Sequence, residues 1–170
     1  MDGRRVILAV VHLLLLVVAL VSASEPEGVA MVFFRHLAEG EGAEAASMCS
    51  EEAFSNVTPM LQRLKDRIQS DDRGLLENLR RCGYSADPEE MLDWSEEEYL
   101  ARTLSLPMVS ARYSRYDTAY VCSTSFTGSR GEVFLCLEAG AASAVRTPVT
   151  LTRERGSWRV VDFMGMYSFP

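Results

Sequence analysis

The chain has 170 residues, of which 48% are hydrophobic, and it carries a formal net charge of −7. This length suits one domain, and the apolar content suits a packed core rather than a disordered chain. The negative charge argues against binding to the phosphate backbone of nucleic acids and against adhesion to anionic lipid.

The start of the chain has the pattern of a secretory signal peptide. Arg4 and Arg5 precede an apolar run over residues 6–21, which ends in small side chains. The run is shorter than the ~20 residues that a bilayer-spanning helix needs. We therefore predict that residues 1–23 are cleaved and that residues 24–170 form one domain, exported to the periplasm or the extracellular space. The alternative is an uncleaved signal that anchors the chain in a membrane.

The first part of the predicted domain has the apolar spacing of helices. Val29, Phe33 and Leu37 recur every four residues, which is typical of a helix with one buried face. Gly40 predicts the end of that helix, because glycine is favoured just after a helix C-terminus. A second, short helical piece is predicted over residues 43–49.

Thr58 and Pro59 predict the start of the next helix, since proline is favoured at the first helical position. A break is predicted at residues 70–74, and Gly83 ends the second part of the helix. The apolar stripe of both parts consists of Leu61, Leu64, Ile68, Leu75 and Leu79.

The sharpest local signal surrounds Trp94. Ser95 and Glu98 match a capping box, and Trp94 and Tyr99 match the hydrophobic staple that accompanies it. A helix is therefore predicted from this point to about Leu104. Because acidic side chains stabilise a helix start, we interpret the acidic cluster here as a solvated helix end and not as a metal site.

The pattern then changes to that of strands. Strands are predicted over residues 111–116, 119–126, 132–138, 144–152 and 157–163. The last two form a hairpin, because the turn residues Glu154, Arg155 and Gly156 separate them. Helices followed by an antiparallel meander predict an α+β domain with its helices on one face of the sheet.

Four cysteines lie in the predicted domain, and export would permit disulfides. A hairpin centred on Ser129 places Cys122 directly opposite Cys136, at the Cβ separation of about 4.5–5.5 Å that suits a disulfide. Cys49 and Cys82 are then the remaining pair. Buried free thiols are the alternative, since an unpaired cysteine packs like a small hydrophobic residue.

Two segments of the sequence resemble the cone-shaped, cystatin-like superfamily of nuclear transport factor two, which includes ketosteroid isomerase, scytalone dehydratase and the polyketide cyclases. They are the first helix with its end, residues 32–41, and the closing hairpin, residues 149–163. The resemblance implies a long helix packed on a strongly curved sheet, with a pocket between them. It implies no activity, because the fold carries enzymes and binding modules alike, and residues 63–108 depart from the compact enzymes.

Three residues are candidates for acid–base chemistry. Strict alternation along the last strand places Asp162 on the inward face with Trp158 and Val160, where a carboxylate can act as a general base. Asp117, in a tyrosine-rich segment, and His36, the single histidine after the signal, are weaker candidates. One histidine cannot supply a histidine-rich zinc or iron site, so no metal or other cofactor is predicted.

The leading functional prediction is an exported, noncatalytic binding or scaffold domain. Its pocket would lie inside the cone, lined by Phe33, Leu37, Trp158 and Val160, and would take a small apolar molecule, a peptide or a partner protein. The alternative is an acid–base enzyme, such as an isomerase, dehydratase or cyclase, that uses Asp162. No nucleic acid is expected as a partner, and a homodimer is an open alternative.

Overall fold

The computed structural model describes residues 25–85, 87–140 and 144–164, so the predicted signal peptide lies outside the described residues. The helices are α1 (Pro26–Glu39), α2 (Gly42–Ser47), α3 (Glu51–Gln69), α4 (Arg73–Cys82), α5 (Pro88–Leu92), α6 (Glu96–Leu104) and α7 (Pro107–Tyr113). The strands are β1 (Thr118–Thr127), β2 (Arg130–Glu138), β3 (Val145–Glu154) and β4 (Ser157–Phe163). No helix among these residues is long and apolar enough to cross a membrane.

The four strands form one antiparallel sheet in the order β1-β2-β3-β4. Each strand pairs with the next one in the chain, and α1 packs across the sheet. This arrangement confirms the predicted α+β class, with the helices against a curved sheet.

The main hydrophobic core lies between α1 and the sheet. Val29, Phe33 and Leu37 are buried on one face of α1, as their spacing predicts. Phe33 meets Phe163 of β4 edge to face, with 5.8 Å between the ring centroids. Gly40 ends the helix in a left-handed conformation with φ of 78°, which glycine adopts without steric cost.

The curvature of the sheet shows at one end, where its two edge strands meet. The ring centroids of Phe126 in β1 and Trp158 in β4 are 5.0 Å apart. Phe126 lies over Gly131 of β2, where a Cβ atom would overlap the Phe126 ring and the Ser125 carbonyl. Because Gly131 has no side chain, the Phe126 ring can lie directly over its backbone and reach Trp158.

Two predicted elements differ from the structure. Helix α3 begins at Glu51, because the Ser50 side chain caps it by accepting a hydrogen bond from the Ala53 amide at 3.0 Å. Pro59 therefore lies inside the helix, where the buried face of α3 offsets the loss of one amide donor. The strand predicted at residues 111–116 is wrong: Pro107 occupies the first position of α7, and this helix continues to Tyr113.

One of the two predicted disulfides is present. Cys122 and Cys136 are bonded, with their Cα atoms 5.7 Å apart. The predicted pair of Cys49 and Cys82 is wrong, because both are free. Cys49 is buried beside Val160 of β4 in the main core, whereas Cys82 lies at the end of α4, outside that core.

A second, smaller hydrophobic cluster lies beneath α3 and α4. Its buried members are Leu61, Leu64, Leu75, Met91 and Trp94. Ile68 and Leu79 pack against it, so the apolar stripe predicted for α3 and α4 buries its side chains here and not on the sheet. Residues 61–99 thus form a helical extension with a core of its own.

Candidate functional site

A surface groove opens between α3 and α4, above the smaller cluster, with a volume of about 250 Å³. The α3 side contributes Met60, Arg63, Leu64 and Arg67. The opposite wall and the floor consist of Leu75, Leu79, Tyr84 and Tyr99. Ligand sites are commonly concave and mainly apolar with a few polar groups, and the groove has this composition.

The turn between the two helices sets the width of the groove. Asp72 accepts a hydrogen bond from the Leu75 amide at 3.0 Å and thereby caps α4. Its other oxygen pairs with the Arg67 guanidinium at 2.8 Å. These hydrogen bonds lower the pKa of Asp72, so the carboxylate is charged at neutral pH and holds α4 against the end of α3.

Two tyrosines make the floor of the groove uncharged. The Thr103 hydroxyl donates to the Tyr99 carbonyl at 2.8 Å, so the Tyr84 hydroxyl, 2.7 Å from Thr103, acts as the donor to it. Burial raises the pKa of Tyr84 to about 12 and also raises the pKa of Tyr99. Both phenols therefore remain protonated at neutral pH.

Trp94 anchors the groove from below and is only 2% exposed. Lys65 of α3 donates to the Trp94 carbonyl at 2.9 Å, which ties α3 to the start of α6. The Tyr84 ring lies against the indole, with 6.2 Å between centroids. The smaller cluster and the groove floor are therefore one packed unit.

The two arginines on the α3 side differ in their partners. Arg67 is engaged by Asp72. Arg63 is exposed and makes no hydrogen bond or ion pair with any residue that the structure describes. The rim of the groove therefore presents one guanidinium without a hydrogen-bond partner among the described residues.

The residues predicted to line a pocket inside the cone lie elsewhere. Phe33, Leu37 and Val160 are fully buried in the main core, where they pack against neighbouring side chains. Trp158 is half-buried against Phe126. The structure thus places all four in side-chain packing and not in the groove.

Asp162 departs from the strict alternation predicted for the last strand. A β-bulge at Val161 interrupts the pairing of β3 and β4, so Val160 pairs with Leu151 and Asp162 pairs with Thr150. The added residue shifts the alternation, and Phe163 takes the fully buried position that faces the core. Asp162 is only half-buried, although its Oδ1 atom is inaccessible to solvent and has no hydrogen-bond partner among the described residues.

The two weaker acid–base candidates have structural partners. Asp117 is exposed, and its side chain accepts a hydrogen bond from the Gly140 amide at 2.7 Å, which closes the open end of the β1–β2 hairpin. His36 Nδ1 lies 2.6 Å from Glu41 Oε2. No hydrogen bond joins Asp162, Asp117 and His36 to one another in the described part of the chain.

Within the described part of the chain, His36, Glu39 and Glu41 form a group that could hold a metal ion, because their donor atoms lie within 4.8 Å of one another. The left-handed turn at Gly40 returns Glu41 to the end of α1, a proximity that sequence spacing did not reveal. Both glutamates are exposed, and Glu41 already lies within hydrogen-bond distance of His36.

Sequence reasoning placed the binding site in the cone and missed the groove. It identified Leu64, Leu75 and Leu79 only as core positions. A signal was present in Arg63 and Arg67, which are four residues apart and therefore share one face of α3 beside that apolar stripe. The contribution of Tyr84 could not be predicted, because it depends on how α4 returns along α3.

No family model matches the sequence, and no curated protein matches it. Among solved structures, the chain is similar to an NTF2-like protein from Campylobacter jejuni for which a transpeptidase function has been suggested. The identity is 12%, the TM-score is 0.47, and the match covers 81% of this chain and 97% of that chain. No activity is transferred from that protein to this one.

Proposed function

We propose that this protein is an exported, noncatalytic binding domain and that the groove between α3 and α4 holds a small apolar molecule. The observation that carries the proposal is the groove itself, where Met60, Leu75 and Leu79 meet two uncharged tyrosines around an open volume of about 250 Å³. Removal of a ligand's apolar surface from water stabilises such a complex by about 25 cal/mol per Å² before the costs of association.

The floor of the groove supports this proposal because it is rigid. The hydroxyl of Tyr84 is fixed by Thr103, and its ring lies against the buried Trp94. A ligand would therefore enter a largely preformed site and would order few side chains on binding, which lowers the entropic cost.

Titration with N-phenyl-1-naphthylamine, a neutral dye that fluoresces in apolar sites, tests the proposal. Residues 24–170 should bind the dye, and both Met60→Trp, which fills the groove, and Leu79→Gln, which adds a polar group to its wall, should weaken binding at least tenfold. Val145→Gln is the matched control, because Val145 is an apolar side chain 45% exposed on β3. Equal binding by all variants would contradict the proposal.

Export is part of the same proposal. The predicted signal peptide motivates it, and the disulfide between Cys122 and Cys136 supports it, because disulfides persist in oxidising compartments. N-terminal sequencing of the exported chain should find Ser24 first. A chain that retains Met1 would favour the membrane-anchored alternative.

The acid–base enzyme remains a second proposal because the Oδ1 atom of Asp162 is buried without a hydrogen-bond partner. A general base needs the reacting proton within hydrogen-bond reach, together with a second polar group that stabilises the developing charge. Asp162→Asn tests where the dye binds: the variant should bind it as the parent does if the site is the groove, whereas a loss of binding would place the site at Asp162 instead.

A further inference from the structure

We propose that the ligand of the α3–α4 groove is a straight-chain carboxylate of about eight carbons, with its tail along the tyrosine floor and its acid group paired with Arg63. This inference rests on the proposed function of the groove and adds the chemical class of the ligand. It depends on the position of the Arg63 guanidinium at the edge of the apolar groove.

Arg63 has the properties of a ligand-binding cation. It lines the groove and is exposed, and no described carboxylate or carbonyl engages its donors. Of the neighbouring arginines, Arg67 and Arg81 are paired with Asp72 and Glu77. A guanidinium presents its donors in a planar fork that matches the two oxygens of a carboxylate.

The charges around the groove select an anion over a cation. The chain as a whole carries a net charge of −7, yet none of the described residues that line the groove is acidic. Asp72, which is near its end, is already engaged by Arg67 and by the Leu75 amide. An ammonium head group would meet Arg63 without a compensating acid, whereas a carboxylate would meet a positive partner.

The size of the groove limits the length of the tail. A volume of about 250 Å³ holds roughly eight groups of methylene size, if each takes the ~30 Å³ that a water molecule occupies. A chain of eight carbons would fill it, and a much longer chain would extend into solvent. The neutral floor formed by Tyr84 and Tyr99 suits an alkyl chain better than a polar one.

Isothermal titration of residues 24–170 with octanoate and with 1-octanol tests the inference, because the two molecules share a tail and differ in charge. Octanoate should bind at least fivefold more tightly than 1-octanol. Arg63→Gln should weaken octanoate binding roughly tenfold and leave 1-octanol binding unchanged, and Arg63→Lys should restore part of the loss. Arg35→Gln on α1 is the control, since it removes the same charge from an exposed arginine outside the groove.

The outcomes separate this inference from the proposed function. Equal affinity for both molecules, with no effect of Arg63→Gln, would overturn the carboxylate assignment and leave an apolar groove. A loss of octanoate binding in Arg35→Gln as large as that in Arg63→Gln would show a general charge effect and would also overturn it. If octanoate, 1-octanol and the neutral dye all fail to bind, the result would contradict the proposed function as well.

Discussion

Cys136 is bonded to Cys122 but stands opposite Tyr120 in the β1–β2 ladder. A β-bulge lies between Val121 and Ser123, and Cys122 is the extra residue. The bulge moves Cys122 out of register and still leaves it close enough for a disulfide. Two cysteines on neighbouring strands can therefore bond without being a paired position of the ladder.

Peptide mapping without reduction should recover one linked pair, Cys122 with Cys136, and free thiols at Cys49 and Cys82. The bond closes a loop of 14 residues in sequence separation, for which the chain-entropy estimate is about 3 kcal/mol of unfolding free energy. Urea denaturation with and without a reductant should show a loss of up to this size. Recovery of Cys122 joined to Cys49 or Cys82 would contradict the hairpin described above.

The two free thiols should react at very different rates. Burial raises the pKa of Cys49 to about 12, and its side chain is 5% exposed, so the reactive thiolate is scarce and inaccessible. Cys82 is more accessible at the end of α4. Iodoacetamide at pH 8 should modify Cys82 first in the native chain, and Cys82→Ser should abolish the fast phase. Rapid modification of Cys49 would show that its segment opens readily.

Ser95→Ala should lower the free energy of unfolding by about 0.5–2 kcal/mol, because the Ser95 side chain accepts a hydrogen bond from the Glu98 amide at 3.1 Å and caps α6. Glu97→Gln should be nearly neutral, since Glu97 is exposed. Chemical denaturation of both variants measures the difference. Equal losses would point to a role of the acidic cluster beyond helix capping.

Lowering the pH should destabilise the turn between α3 and α4, which Asp72 holds in place. The pKa of Asp72 in the folded chain is below its usual 3.8, so its contribution to stability is complete above that value and declines as the pH falls through the folded pKa. Asp72→Asn should therefore flatten the loss of stability that sets in as the pH falls below the usual pKa of 3.8. Asp93→Asn, at the exposed end of α5, is the control and should retain the parent's pH dependence.

Gly131→Ala should destabilise the sheet by about 1–3 kcal/mol, because the new Cβ atom would overlap the Phe126 ring and the Ser125 carbonyl. The contact between Phe126 and Trp158 should weaken, with a change in tryptophan fluorescence. Ser129→Ala, in the exposed turn of the same hairpin, should have little effect. A neutral Gly131→Ala would mean that the curvature tolerates a side chain there.

Sequence reasoning recovered what depends on local spacing. The buried face of α1, the cap at Ser95 and the turn after Glu154 follow from apolar periodicity and capping chemistry, which act over a few residues. The two bulges, in β1 and in β4, were not predictable, because each depends on how one strand pairs with its neighbour. One bulge leaves Cys122 outside the ladder, so the predicted direct pairing with Cys136 is wrong although the two are bonded, and the other shifts Asp162 out of the predicted alternation.

The groove was the least predictable part. Its wall residues were identified as core, since an apolar stripe does not show which side chains a neighbouring helix will cover. Thr58 and Pro59 were also misread as a helix start, which shortened α3 in the prediction, although Met60 and Arg63 stayed within the predicted helix. Helix α3 extends back to Glu51 because Ser50 caps it, and the sequence analysis did not identify that cap.

The bulge at Cys122 also affects how copies of this chain can meet. Strand β1 is at the edge of the sheet, and no described strand pairs with its outer side, whereas Met48 and Ser50 cover part of the β4 edge by hydrogen bonds to Val160. An uninterrupted edge strand is a template for intermolecular β-sheet growth, and a bulge breaks the regular spacing of donors and acceptors that such growth requires. The disulfide holds that irregular edge in place, so β1 is a poor template for fibrous aggregation between copies of the chain.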